Sequence, residues 1–308
     1  MGKKIGYFML ILIVLTIGVN IILGLIGTFL PVNFIMPEGL VEAPRNYSFT
    51  IGGMKLTINQ TILNTWAIMA LIMAVIKMGT RKLSVENPGK FQIIMEEYYH
   101  FIENTFLATF GNEKERFIPF FAALFAFILF SNLSLFLFPF VITITKGENG
   151  IYEVHHFFRT PTADPNTTVG LALVVLFVTT YVAIKKSGWK RYLRSYIEPM
   201  WFMLPLNIVE KISNVLNTSM RLFGNMLAGL VIAGLLYSLV GRHLMQTVTK
   251  NLVGGPFSFS VGWPMILQLY LDLFVGIIQA FVFTILSSVY VSESLELGHE
   301  SDKEKQVI

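Results

Sequence analysis

The chain has 308 residues, 54% hydrophobic and 14% charged, and its mean hydropathy is +0.64; an ordinary soluble domain is about 25% charged. This excludes a soluble globule and a disordered chain. The net charge of +4 and pI near 9.1 do not indicate nucleic acid, because the basic residues lie between long apolar runs rather than on one polar face. There is no cysteine, so disulfides, thiolate metal sites and cysteine nucleophiles are excluded as well. An all-α polytopic membrane protein remains.

A helix crossing the ~30 Å hydrocarbon core needs about 20 mostly apolar residues. In chain order, residues 7–30, 61–79, 117–141, 168–184, 201–240 and 264–292 qualify, which predicts about six apolar helices. The runs are continuous rather than alternating, which argues against barrel strands. The first follows Lys3 and Lys4 as a signal peptide would. Its apolar stretch is longer than a signal's and no A-x-A site follows, so it reads as a retained helix or signal anchor. With the N-terminus inside, the cytoplasmic segments hold most of the Lys and Arg residues, among them Lys77, Arg81, Lys82, Lys185, Lys186, Lys190, Arg191 and Arg194. That asymmetry orients both termini inside.

Between the second and third runs, Phe91, Ile94, Met95, Tyr98, Phe101, Ile102 and Phe106 recur at helical spacing, with Glu96, Glu97 and Glu103 among the rest. This predicts one cytoplasmic amphipathic helix over residues 90–110, lying on the membrane face or packed on another subunit. Asn87, Pro88 and Gly89 make the turn before it.

The run 201–240 is too long for a simple crossing, since forty helical residues span about 60 Å. It must tilt, bend or leave the bilayer, and a steep tilt needs a partner surface to follow. Arg221 stands in its middle. At about 100° per residue, Glu210, Asn214, Asn217, Thr218 and Asn225 all fall within about 60° of Arg221, so one polar stripe runs along an apolar helix. Gly224, Ala228 and Gly229 border it and let a neighbouring backbone approach. A buried ionisable group in a membrane marks an ion pathway or a functional counter-charge, with a structural Arg paired to a buried acid as the alternative. In the last run Asp272 is accompanied by Gln268, Gly276 and Gln279 at i−4, i+4 and i+7, all within about 40° of it, a second polar stripe that could face the first. Such a carboxyl can relay protons or coordinate a small cation; the alternative is an Asp held neutral by the glutamines. None of the five histidines falls in a clear crossing, and no HExxH, G-x-S-x-G or phosphate-cradling loop is present. Catalysis by this chain alone is not expected, nor is a cofactor or a metal.

The stretch from Ser219 to Gly229, SMRLFGNMLAG, closely resembles the signature of subunit a of the F-type ATP synthase. Residues 278–291 (IQAFVFTILSSVYV), 87–92 (NPGKFQ) and 162–166 (TADPN) are similar to further segments of that family in the same order. The resemblance covers roughly residues 47–295. It divides the chain into residues 1–46, an N-terminal membrane helix and external segment, and residues 47–308, a subunit a membrane domain. It implies a stator in a bacterial plasma membrane, with a c-subunit ring and a b-subunit peripheral stalk as partners. Two long tilted helices would face the ring. Arg221 would be the counter-charge to the ring carboxylate, Asp272 and Gln279 would lie near the outer half-channel, and Asn214, Asn217, Asn225 and Gln268 would line the ion path. The chain departs from many relatives in three places. Leu230 follows the Ala-Gly pair in place of an acid or His. Asp272 stands where His or Glu is common, and Asn214-Val215 replaces a Lys-Pro pair. The resemblance implies protons as the coupling ion, with Na⁺, a hard cation suited to oxygen ligands, as the alternative. An autonomous secondary transporter binding an anion at Arg221 is a different reading, but no repeat or mid-helix proline supports one. A scaffold with inert buried charges is a third.

Overall fold

The computed structural model describes residues 32–33, 46–51, 54–81, 83–134, 142–146, 152–156, 160–197, 200–239 and 270–307. The predicted first crossing, 7–30, lies outside them. In chain order the elements are β1 (Val32–Asn33), β2 (Asn46–Ile51), β3 (Met54–Asn59), α1 (Gln60–Gly79), α2 (Lys90–Phe106), α3 (Lys114–Asn132), β4 (Ile142–Lys146), β5 (Tyr152–His156), α4 (Pro165–Ser187), α5 (Trp189–Ser195), α6 (Leu204–Leu239) and α7 (Gly276–Val307). Short 3₁₀ turns cover Ala108–Glu113, Pro161–Ala163 and Trp201–Met203, and a π-helical turn covers Tyr270–Val275. Among the described residues four stretches are long and apolar enough to cross a membrane: Gln60–Gly79, Ala108–Asn132, Pro165–Ser187 and Leu273–Leu295.

The chain divides into two compact units. One comprises Met1–Gln60, Leu133–Arg159 and Met226–Val275, and its described part carries the strands. β2 and β3 form an antiparallel hairpin, with Ile51 opposite Met54, while β1, β5 and β4 make a three-stranded sheet in that order. These strands lie between apolar runs and form no sheet core. The sequence reading assigned them no structure, although Gly52-Gly53 between two β-branched runs is a hairpin signal.

The other unit, Thr61–Asn132, Thr160–Asn225 and Gly276–Ile308, is a helical bundle. Each crossing buries one stripe and leaves the rest for lipid. α1 buries Thr61, Asn64 and Ile68 while Trp66, Met69, Met73 and Ile76 are exposed. α4 buries Thr168, Ala172, Val175, Thr179 and Val182 and exposes Leu173, Val174, Phe177 and Tyr181. Spacings of three and four residues keep each stripe on one face. α7 packs on α3 and α4 through small residues, with Ala280, Thr284, Ser287 and Ser288 all buried. Small side chains let backbones approach where lipid offers no hydrophobic drive. Their hydroxyls are not left idle: Thr284 and Ser287 donate to the carbonyls of Ala280 and Phe283, both at 2.8 Å, and Ser288 donates to the Phe106 carbonyl.

The predicted amphipathic helix exists as α2, ending at Phe106. Its apolar face is shared between two roles. Ile102 and Phe106 are fully buried against α3, where Phe106 meets the Phe125 ring at 5.4 Å between centroids. The Tyr98 hydroxyl donates to the Ala122 carbonyl at 2.6 Å. Burial pushes this phenol well above its ordinary pKa, so it stays a neutral donor. Phe91 and Ile94, one to two turns earlier, are exposed. The loop before α2 is tied down by Gln92, whose amide accepts from Ser84 N and donates to Ser84 O, both at 3.0 Å. Lys186 at the end of α4 meets Glu113 before α3 at 2.7 Å, and Lys114 meets Glu103 at 3.9 Å. α2, the start of α3 and the end of α4 therefore share one end of the bundle, the end rich in basic residues.

Candidate functional site

α6 is one continuous helix of 36 residues, about 54 Å long at 1.5 Å per residue. Pro205 sits in its first turn, where a missing N–H costs nothing. Its interior hydroxyls bond back to the main chain, Thr218 to the Asn214 carbonyl at 2.7 Å and Ser219 to that of Leu216 at 3.1 Å, so they sit in an apolar helix without loose polar groups.

The burial pattern sorts the helix into two faces. Thr218, Ser219, Leu222 and Met226 are buried. Glu210, Asn217, Arg221 and Ala228 are exposed, and Asn214, Gly224, Asn225 and Gly229 are half-buried. Of the predicted stripe, Glu210, Asn217 and Arg221 are therefore exposed and Asn214 and Asn225 half-buried, whereas Thr218, also placed on it, turns to the buried side. Among the described residues no acid is ion-paired with Arg221. An unpaired Arg at mid-helix in a bilayer costs about 2.5–3.5 kcal/mol on insertion scales. Guanidinium cannot escape that cost by losing its proton.

A second polar group, buried within the bundle, joins the ends of α1, α3, α4 and α7 that lie opposite the basic end. Asp164 is the N-cap of α4: one carboxylate oxygen accepts from Asn166 N at 2.9 Å, and the other accepts from the Thr61 hydroxyl of α1 at 2.9 Å. Beside it the Thr162 hydroxyl donates to the Asn132 side-chain oxygen at 2.6 Å, and the Asn132 amide donates to the Gly276 carbonyl of α7 at 2.8 Å. Gly276 permits this approach, because a Cβ there would come within 3.1 Å of Asn132 Cβ. Thr61, Asn132, Thr162 and Thr168 are nearly inaccessible, and Asn64 is wholly buried. In the sequence Asp164 and Thr162 stand out only as part of the TADPN segment, Asn132 only as a chance N-x-S match, and Thr61 not at all. Thr61 and Asn132 stand singly on two helices far along the chain from Thr162 and Asp164, so no local spacing signals the group.

Gln279 lies three residues into α7 and is nearly buried. Asp272 lies in the π-helical turn Tyr270–Val275 that precedes α7 and belongs to the other compact unit. A π turn closes i→i+5 bonds and changes the angular step per residue. The seven-residue count from Asp272 to Gln279 thus does not carry the α-helical phase on which the second stripe was drawn. Gln268 lies outside the described residues.

The family described as ATP synthase A chain matches residues 62–292. The chain is similar to "ATP synthase subunit a, sodium ion specific" of Propionigenium modestum, 33% identical over 84% of this chain and 82% of that protein. It is likewise similar to "ATP synthase subunit a" of Bacillus subtilis (strain 168), 35% identical over 81% of this chain and 98% of that protein.

Proposed function

Because this chain belongs to the ATP synthase A chain family, we propose that it is the stator that lines two ion half-channels beside a c-subunit ring and so couples ion flow to ring rotation. Membership of a membrane-embedded, ion-translocating complex follows from the family. The observation that supports the finer reading is the Arg221 stripe, where Glu210, Asn217 and Arg221 are exposed. A ring carboxylate supplies the anion that Arg221 lacks. When the carboxylate has lost its ion it is drawn to the guanidinium. When loaded and neutral it is not, so it returns to the hydrocarbon. The same fixed positive charge repels a free cation, which keeps the outer and inner routes from joining directly. Ions must then travel with the ring. The outer route runs through the buried group of Asp164, Thr61, Thr162 and Asn132 towards the level of Gln279, with Asp272 on the segment leading into α7. Asn214, Asn217 and Asn225 flank Arg221 and offer neutral oxygens and amides to the passing site. The b subunits of a peripheral stalk would hold the stator in a bacterial plasma membrane.

Cross-linking tests the ring-facing stripe. The chain has no cysteine, so Asn217→Cys introduces its only thiol. In assembled complexes with a cysteine near the ring carboxylate, Asn217→Cys is expected to form a disulfide on mild oxidation and Leu222→Cys is not. Equal yields from the two positions would reject the orientation.

The coupling ion is read as the proton. Sodium is the second reading, favoured by the similarity to a relative whose name specifies sodium and by a path lined with Asn, Gln and Asp oxygens. ATP-driven ²²Na⁺ uptake by the reconstituted complex, with a protonophore present, decides between them. Uptake that persists assigns sodium. No uptake, with ATP-driven acidification that the protonophore collapses, assigns protons.

A further inference from the structure

Lys211 stands apart from the Arg221 stripe. It sits about 80° round the α6 helix from Arg221, on the side that turns towards α4 and α7. There it lines a cleft of about 30 Å³ between α4, α6 and α7, together with Thr179, Asn214, Thr218 and Tyr290 and apolar side chains of α4 such as Leu176. Lys211 lies seven residues into α6 and Thr179 eight residues from the end of α4. At 1.5 Å per residue both are about 10–12 Å from the basic end of the bundle.

Most of the exposed lining is apolar, but five of its nine residues bring polar groups, and these carry one sign of charge. A water molecule needs about 10–15 Å³ of such space and two to four polar partners, so the cleft has room for about two. Thr179 and Thr218 donate their hydroxyl protons to the Val175 and Asn214 carbonyls at 2.8 and 2.7 Å. Their oxygens remain as acceptors, beside the Asn214 amide, the Tyr290 hydroxyl and the Lys211 ammonium. No carboxylate lines the cleft. Asn214 belongs both to this lining and to the Arg221 stripe. A wet cleft without a fixed positive charge would therefore lead a cation through the bundle interior to the stripe. An ammonium between low-dielectric walls repels that cation and concentrates anions.

We propose that this cleft is a water-filled pocket open to the cytoplasmic side, made anion-selective by Lys211, and that Lys211 thereby confines the coupling cation to the ring-facing side of α6. The role towards the coupling cation rests on the stator reading; the wetness and charge preference of the cleft do not.

Thr179→Cys places a thiol on the α4 wall, with Leu176→Cys as the substitute if that variant fails to assemble. In inverted membrane vesicles of the assembled complex, iodoacetate and iodoacetamide are applied to the cytoplasmic face, and alkylation at position 179 is read by peptide mass spectrometry. Each reagent forms the same S–C bond and releases iodide, so any effect of Lys211 on thiol ionisation cancels in the ratio of their rates. That ratio is expected to fall about tenfold in Lys211→Gln, in line with charge focusing in clefts, and to return in Lys211→Arg. Two results would overturn the proposal. One is no alkylation by either reagent while a thiol at the exposed position 189 reacts, which means the cleft is dry. The other is a ratio unmoved by Lys211→Gln, which means the ammonium reaches past the cleft to the interface. Neither result depends on ring coupling, whose failure would show instead in the Arg221 variants.

Discussion

Arg221→Ala is expected to abolish ATP-driven ion pumping, to below about one hundredth of the parent rate, while the complex still assembles in the membrane. The side chain is exposed and has no ion-paired acid among the described residues, so its loss removes no ion pair among them. On the proposed reading it removes the charge that draws an unloaded ring carboxylate out of the hydrocarbon and repels free cations between the two routes. A fixed charge acting in low dielectric is worth several kcal/mol, and each 1.4 kcal/mol is a factor of ten in rate. The second signature is a passive ion leak, because the barrier between the half-channels falls with the charge. Arg221→Lys keeps the charge but replaces a planar fork with a compact, strongly hydrated ammonium, so pumping should drop steeply with little leak. ATP-driven transport and passive flux in inverted vesicles, normalised to assembled complex, give both quantities. Pumping retained in Arg221→Ala would reject the role given to this residue. Loss of assembly in every Arg221 variant would instead favour a structural charge.

Asp164→Ala carries the second large effect, and it acts on stability first. The carboxylate caps α4 and accepts from Thr61 of α1. Removing a cap costs about 1 kcal/mol, and losing a hydrogen bond to a charged group costs about 1.5–3 kcal/mol. A total of about 2.5–4 kcal/mol should lower the amount of assembled complex severalfold. Asp164→Asn separates this from function, since Asn also caps well and still accepts from Thr61. That variant should assemble normally yet require a several-fold higher ion concentration on the outer side to reach half-maximal ATP synthesis, because the carboxylate of the proposed outer route is gone. An unchanged outer-ion dependence in Asp164→Asn would make Asp164 a structural cap alone.

The membrane class, the long Arg-bearing helix and its polar stripe were legible in the chain. Hydropathy and helical spacing are local properties, and a bilayer forces apolar runs into helices because nothing else satisfies their backbone. The amphipathic helix at residues 90–110 was legible for the same reason. What covers its face was not: Ile102 and Phe106 pack on α3 rather than on lipid, and no periodicity names the partner of an apolar face. The second stripe was drawn from Asp272 on the assumption of an uninterrupted α-helix, and the π turn at Tyr270–Val275 breaks that phase without a marker in the sequence.

The sequence by itself thus determined which segments are helices, where a charge stands in an apolar run, and which residues share a face with it. Only the tertiary structure decided which face stays open. α6 buries Thr218, Ser219 and Leu222 and presents Arg221 outward, because small and apolar residues give the closer packing inside the bundle. Only the tertiary structure, too, gathered Thr61, Asn132, Thr162 and Asp164, 103 residues apart along the chain at the Thr61–Asp164 bond. Such a group exists by contact between helices, and contact at that separation leaves no period or spacing to read.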